Sequence, residues 1–166
     1  MTSKVTLKLP RVLWSAKDTL RLAQNSLASI KLRTSKGIDA NGVEFKGYSK
    51  NAIYVSKRGA RLKPKGGRPS RTGRSIFYAG GYKQYKHDSR QRSKGDSAEV
   101  DLVLSGNMLN NLVIKEATVD RFVIGLTKNA QYGYAVNEDR KFLGLTKDDQ
   151  AILVRAVGIE LRKRLL

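Results

Sequence analysis

Residues 112–127, LVIKEATVDRFVIGLT, decide the fold. Two short runs rich in apolar and β-branched residues flank a polar break, which reads as a hairpin with its turn near Val119 and Asp120. A hairpin makes the sheet around it antiparallel. Downstream, residues 130–138, AQYGYAVNE, suit a short helix, and LGLTKDDQAILVRAVGIELRKRLL ends the chain as a long one. Thr146 with Asp149 three residues on resembles a capping box, with Asp in place of the usual Glu. Leu153, Val157, Leu161 and Leu165 form a stripe four residues apart, and Arg162, Lys163 and Arg164 suit the negative end of the helix dipole. Gly158 costs about 1 kcal/mol relative to alanine, which marks it as a candidate for close packing.

Upstream, VDLVLSGNMLNNL (100–112) reads as a strand through Val100, Leu102 and Leu104. Ser105 then caps a short helix carrying Met108, Leu109 and Leu112. KHDSRQRSKGDS (86–97) is a polar loop. AIYVS (52–56) and SIFYAGG (75–81) are two short strands, and GIDANGVEFKGYSK is a series of turns anchored by Phe45 and Tyr48. Near the start, Leu13, Ala16, Leu20, Ala23, Leu27 and Ile30 share one face of a helix over 12–32, with Pro10 at its entry and Gly37 as its stop. The expected fold class is α+β. A long N-terminal helix and a C-terminal helix pack an antiparallel sheet in a single domain, 1–166.

The two strands at 52–56 and 75–81 enclose the most unusual stretch of the chain, a long basic loop or hairpin arm expected to be flexible over 57–74. It holds Lys57, Arg58, Arg61, Lys63, Lys65, Arg68, Arg71 and Arg74 with no carboxylate among them. Its glycines and prolines argue against a helix. The whole chain of 166 residues carries a formal charge of +19. Self-repulsion at that charge opposes a compact monomer, so a polyanion or an acidic partner is the expected counterweight. The loop has three readings: phosphate contact, a solvated loop kept soluble by its charge, or docking on an acidic face of a neighbouring subunit. Tyr78, Tyr82 and Tyr85 follow closely, and read either as packed strand residues or as faces on which bases stack.

Catalysis finds little support. The sole histidine, His87, stands in a basic loop without a positioned partner. Asp148 and Asp149 fit the first turn of a helix without a metal. KPKGGRPSRTG lacks the lysine–serine/threonine end of a phosphate-binding loop, and Ser105 in LSGNM is not a nucleophile elbow. There is no cysteine, which excludes disulfides and thiolate chemistry. No apolar run approaches the roughly 20 residues of a membrane-spanning helix. The beginning of the sequence lacks the long apolar region of a signal peptide. The expectation is a non-enzymatic protein with no cofactor, no metal and no membrane partner, working where it is made or in a particle assembled there.

Three segments, DANGVEFKGYSK (39–50), VDLVLSGNMLNNLVIK (100–115) and VIGLTKNAQYGYAVNEDRKFLGLTKDDQAIL (123–153), occur in an order that resembles the virion morphogenesis proteins of tailed phages, of the phage Mu G-like type. These overlap with tail-completion, tail-terminator and head–tail joining proteins. The matching positions are Asp39, Gly42 and Phe45; Leu104, Ser105, Gly106 and Leu109; Ile124 and Gly125; Tyr134 and Ala135; and Arg140, Phe142, Leu143, Gly144 and Leu145. The basic insert at 57–74 is not a feature the family requires. The resemblance implies a structural protein at the neck or tail end of a virion, assembled in the bacterial host cytoplasm. It implies a closed homo-oligomeric ring, a hexamer by expectation, touching neighbouring neck and tail proteins and surrounding the DNA that passes through its lumen. The alternative is a basic nucleic-acid-binding module acting on the phosphate backbone.

Overall fold

The computed structural model describes residues 2–7, 13–58, 63–89, 100, 102 and 106–166. In chain order the elements are β1 (Ser3–Thr6), α1 (Ala16–Ser35), β2 (Ile53–Ser56), β3 (Arg68–Pro69), β4 (Ser75–Tyr78), α2 (Gly81–Ser89), α3 (Asn107–Asn110), β5 (Leu112–Ala117), β6 (Arg121–Leu126), α4 (Tyr132–Asp139) and α5 (Lys147–Leu165). This is an α+β fold with antiparallel sheets and a long helix near each end. The chain forms two compact units, Met1–Phe45 with Met108–Leu166, and Lys46–Asn107.

The first unit is built on the hairpin expected at 112–127. β5 and β6 pair antiparallel from Leu112 opposite Leu126 to Ala117 opposite Phe122, with an irregularity between Ile114 and Glu116. β1 adds to the other side of β6, so the order is β1-β6-β5, and no described strand pairs with the outer edge of β1 or of β5. Phe122, Ile124 and Leu126 alternate along the central strand and are almost wholly buried. α1 packs over β5 and β6, and α5 packs on α1. Both long helices open with capping boxes. In α1, Ser15 Oγ accepts from the Asp18 N–H while the Asp18 carboxylate accepts from the Ser15 N–H. In α5, Thr146 and Asp149 make the same exchange at 3.0 and 2.9 Å, as the spacing predicts.

The second unit is a small sheet ordered β2-β4-β3, with α2 packed on one face. Ile53, Val55, Ile76 and Tyr78 line that face and meet Tyr82 and Tyr85 of α2. The rings of Tyr78 and Tyr85 stand edge to face at 5.3 Å. Lys86 is 1% exposed, its Nζ donating to the Tyr48 hydroxyl at 2.7 Å, and that hydroxyl also accepts from the Leu102 N–H.

Several local expectations change. α1 runs over 16–35 and buries Thr19, Leu22, Ala23, Ser26, Ile30 and Arg33, so its inner face is rotated away from Ala16 and Leu20. Two hydroxyls on that face are bonded: Thr19 Oγ1 donates to the Val119 carbonyl and accepts from the Trp14 indole, and Ser26 donates to the Leu22 carbonyl, whereas Arg33 Nε and Thr34 Oγ1 find no partner among the described residues. The strand at 75–81 ends at Tyr78, and residues 86–89 of the expected loop belong to α2, which carries Tyr82 and Tyr85; residues 90–97 lie outside the described ones. Val100 and Leu102 are not in a strand, and Leu102 has φ +51°, a left-handed conformation incompatible with one; Leu104 and Ser105 lie outside the described residues, as does Pro10. In α5 only Leu153 of the expected stripe is buried, and a Cβ at Gly158 would meet nothing within 4 Å, so close packing does not explain that glycine. β1 had no counterpart in the sequence reading.

Candidate functional site

The basic run begins at the end of β2, and its second half becomes structure. Tyr78 Oη donates to the Lys65 carbonyl at 2.6 Å, and the Lys65 N–H donates to Ser89 Oγ at 3.1 Å. Gly67 has φ +66°, and a Cβ there would come within 2.6 Å of the Ile76 side chain and the Phe77 carbonyl, so only glycine admits this approach. Arg68 and Pro69 then pair with Phe77 and Ile76 as the edge strand β3. A tight turn follows, closed by Gly73 N–H to the Ser70 carbonyl at 2.8 Å. Proline suits this edge because it needs no ladder donor.

Lys57, Arg58, Lys63, Lys65, Arg68, Arg71 and Arg74 are all exposed. None of them is ion-paired to a carboxylate of the described residues. Arg61 lies outside the described residues. Lys57 and Arg74 are joined by a backbone hydrogen bond of 3.0 Å where β2 and β4 end. The charges therefore gather around one small sheet.

The tyrosines singled out in the sequence do not serve this surface. Tyr78 and Tyr85 are buried in the core of the unit, and Tyr82 packs against them. The aromatic groups on the open face are Tyr54 and Phe77, which the sequence reading passed over. They sit opposite each other on β2 and β4 with ring centroids 4.9 Å apart, and Arg68 of β3 stands opposite Phe77 on its other side. Tyr54 is 67% exposed. Strand alternation is the signal that finds them: Ile53, Val55, Ile76 and Tyr78 point inward, so Tyr54 and Phe77 point outward.

Most of the family-like positions lie in the first unit as scaffold, while Gly106 falls in the second. Asp39 closes a turn, its Oδ1 accepting from the Asn41 and Val43 N–H groups at 2.7 and 2.9 Å, with Gly42 at φ +81° and Phe45 buried. Burial pushes the Asp39 carboxyl up, but those backbone donors outweigh it and hold it below the usual range. The Ala40 N–H of the turn reaches the Lys141 carbonyl, beside Arg140 and the fully buried Phe142. Leu109 is buried, and the Tyr134 hydroxyl bonds the Leu126 backbone. Gly106 has φ +77° just before α3, and Ser105 is not described.

Arg33, absent from the sequence candidates, ties this scaffold together. Its guanidinium donates to Asp149 at 2.6 Å and to the carbonyls of Phe142 and Gly144 at 2.9 and 2.8 Å. Burial raises the Asp149 carboxyl, but hydrogen bonds from Ser29 and Thr146 and the charge of Arg33 bring it below its ordinary value. Asp149 is thus held as an anion within the scaffold.

Beside the open edge of β1 runs a groove of about 590 Å³, with Val5 and Leu7 on one side and Leu145, Leu153, Val154 and Val157 on the other. Val154 on its rim is 73% exposed. His87 is 65% exposed, with Nδ1 2.9 Å from Asp88 Oδ1. Among the described residues no three metal-ligating side chains gather, and no helix is long and apolar enough to cross a membrane. No family model matches the chain, and no curated protein or solved structure matches it.

Proposed function

We propose that the chain is a structural virion protein of a tailed bacteriophage, forming a ring at the neck or tail end in tail completion or head–tail joining. The observation that carries this reading is the edge of β1, with which no described strand pairs, beside an apolar groove in the first unit. Main-chain donors and acceptors along an open edge give affinity to an added strand, and neighbouring apolar pockets give it specificity. Ile152, Val154 and Ile159 extend the uncovered apolar surface along α5. A second copy of the chain is the partner, and heterologous contacts that close make a ring. The order of the three family-like segments supplies the place in the virion. Their residues hold the turn at 39–45 and the 140–145 segment in position and present no reacting group. The partners above and below are other neck and tail proteins.

The test is solution mass by light scattering at low and high salt, without nucleic acid. The expected result is a discrete oligomer of the 18.5 kDa subunit, six copies by expectation, or a monomer that assembles on purified heads or tails. Val154→Asp should leave the subunit folded and abolish the assembly. A monomer under every condition, indifferent to heads and tails, would overturn the reading.

A second reading, a basic module acting on the phosphate backbone, is favoured by the exposed lysines and arginines of 57–74, none of which is ion-paired to a carboxylate among the described residues. It calls for binding that weakens steeply with salt and tracks the number of lysines and arginines present.

A further inference from the structure

We infer that the open face of the β2-β4-β3 sheet binds single-stranded nucleic acid, with an unpaired base stacked on the Tyr54–Phe77 pair and a phosphate held by Arg68. The inference stands on the second unit alone. It does not require the ring, and its test is independent of the mass measurement.

Three observations converge. Tyr54, Phe77 and Arg68 form one row across three strands, each standing directly opposite the next. Adjacent strands lie about 4.8 Å apart, so the row runs about 10 Å from Tyr54 through Phe77 to a guanidinium. The next row on the same face is Ser56 opposite Ser75, two short side chains that leave level ground beside the rings. Beyond it the ladder ends where the Lys57 N–H donates to the Arg74 carbonyl. No carboxylate stands in either row. The one formal charge in these rows is that of Arg68.

The aromatic row separates a single strand from a duplex. Cations alone serve both, because both carry phosphates. In a duplex the base faces are stacked on one another and hidden. An exposed tyrosine set among arginines gains most from a base whose face is free. Phe77 backs Tyr54 from the neighbouring strand and holds the ring in place.

The experiment uses the full chain and fluorescein-labelled oligothymidine, with a duplex of equal length, read by anisotropy over a salt series. The single strand should bind more tightly than the duplex. Tyr54→Leu, which keeps bulk but removes the π face, should weaken single-strand binding by about tenfold and leave the salt slope unchanged. Tyr54→Phe should bind like the native protein. Arg68→Gln should reduce the salt slope by about 0.7. Tyr54 is largely exposed, and unchanged thermal melts will show that these variants fold. Equal affinity for duplex and single strand, with Tyr54→Leu silent, would reduce the face to a patch of charge and overturn the inference. Failure of the single strand to bind would also overturn it. So would a Tyr54→Leu protein whose only change is in its light-scattering mass, which would make the face a protein contact.

Discussion

Arg33 lies on the buried side of α1 with its guanidinium shared between one carboxylate and two carbonyls. Replacing it with methionine keeps the length of the side chain and removes every one of those bonds. Asp149 would then be a half-buried charge without its counterion, and the carbonyls of Phe142 and Gly144 would lose their donor. Removing one partner of such a pair costs about 3–5 kcal/mol. Arg33→Met should therefore lower the denaturation midpoint sharply at pH 7. A double variant with Asp149→Asn should cost less than the two single changes added, since it removes the stranded charge. Additive costs would show that the pair contributes independently. Arg33 was illegible in the sequence for a plain reason. A basic residue in the last turn of a helix fits the dipole and the solvent equally well, and nothing local announces that the residues at 142–149 will return to cover it.

At the scale of elements, the two long helices show what patterning can and cannot resolve. The spacing in 12–32 identified a helix, and the capping box at Thr146 located the start of α5. It misplaced the inner face of α1 because helical periodicity admits two overlapping stripes. The leucine-rich one looked apolar enough, yet the fold buries the stripe through Thr19, Ser26 and Arg33, whose hydroxyls and terminal guanidinium nitrogens find partners. The β4 strand and the 112–127 hairpin were legible from their apolar, β-branched and aromatic residues, whereas β1, with Lys4 and Thr6 on its exposed side, and the two-residue β3 carry no such run. On the candidate site, the charges were plain in the sequence, but the aromatic partners were not, because which tyrosines face outward depends on a strand register that only pairing fixes. In α5, Gly158 has open space where its Cβ would be. Gly158→Ala should raise subunit stability by about 0.5–1 kcal/mol through helix propensity, read as a higher urea midpoint with unchanged slope. A loss of stability would mean that the backbone there cannot accept a side chain.

For the molecule as a whole, charge sets the response to acid. Arg164 in the last turn of α5 forks onto the Asp18 carboxylate at 2.7 and 2.8 Å, tying the two ends of the first unit together, and it also bonds the Leu13 carbonyl. Arg164, followed by Ser15, holds the Asp18 carboxyl well below the usual carboxylate range. Its folded value lies beneath the unfolded one, so the unfolded chain takes up the proton first. The stability it contributes is complete above the unfolded value of about 3.9 and is lost as pH falls toward the folded one. Acid also removes negative charge from a chain already at +19, which strengthens self-repulsion. The melting temperature should be steady down to about pH 5 and fall below about pH 4. Asp18→Asn should start lower and fall less; an identical acid profile would show that other carboxylates govern it. The β1-β6-β5 sheet carries one further consequence. Its open borders belong to different strands with different side chains, so it is a tile with a left side and a right side. Tiles joined left to right all face the same way, and a circle of them has two unlike rims. A seam between two different bodies, each needing its own surface to sit against, is closed by a washer of that kind and not by one whose faces are the same.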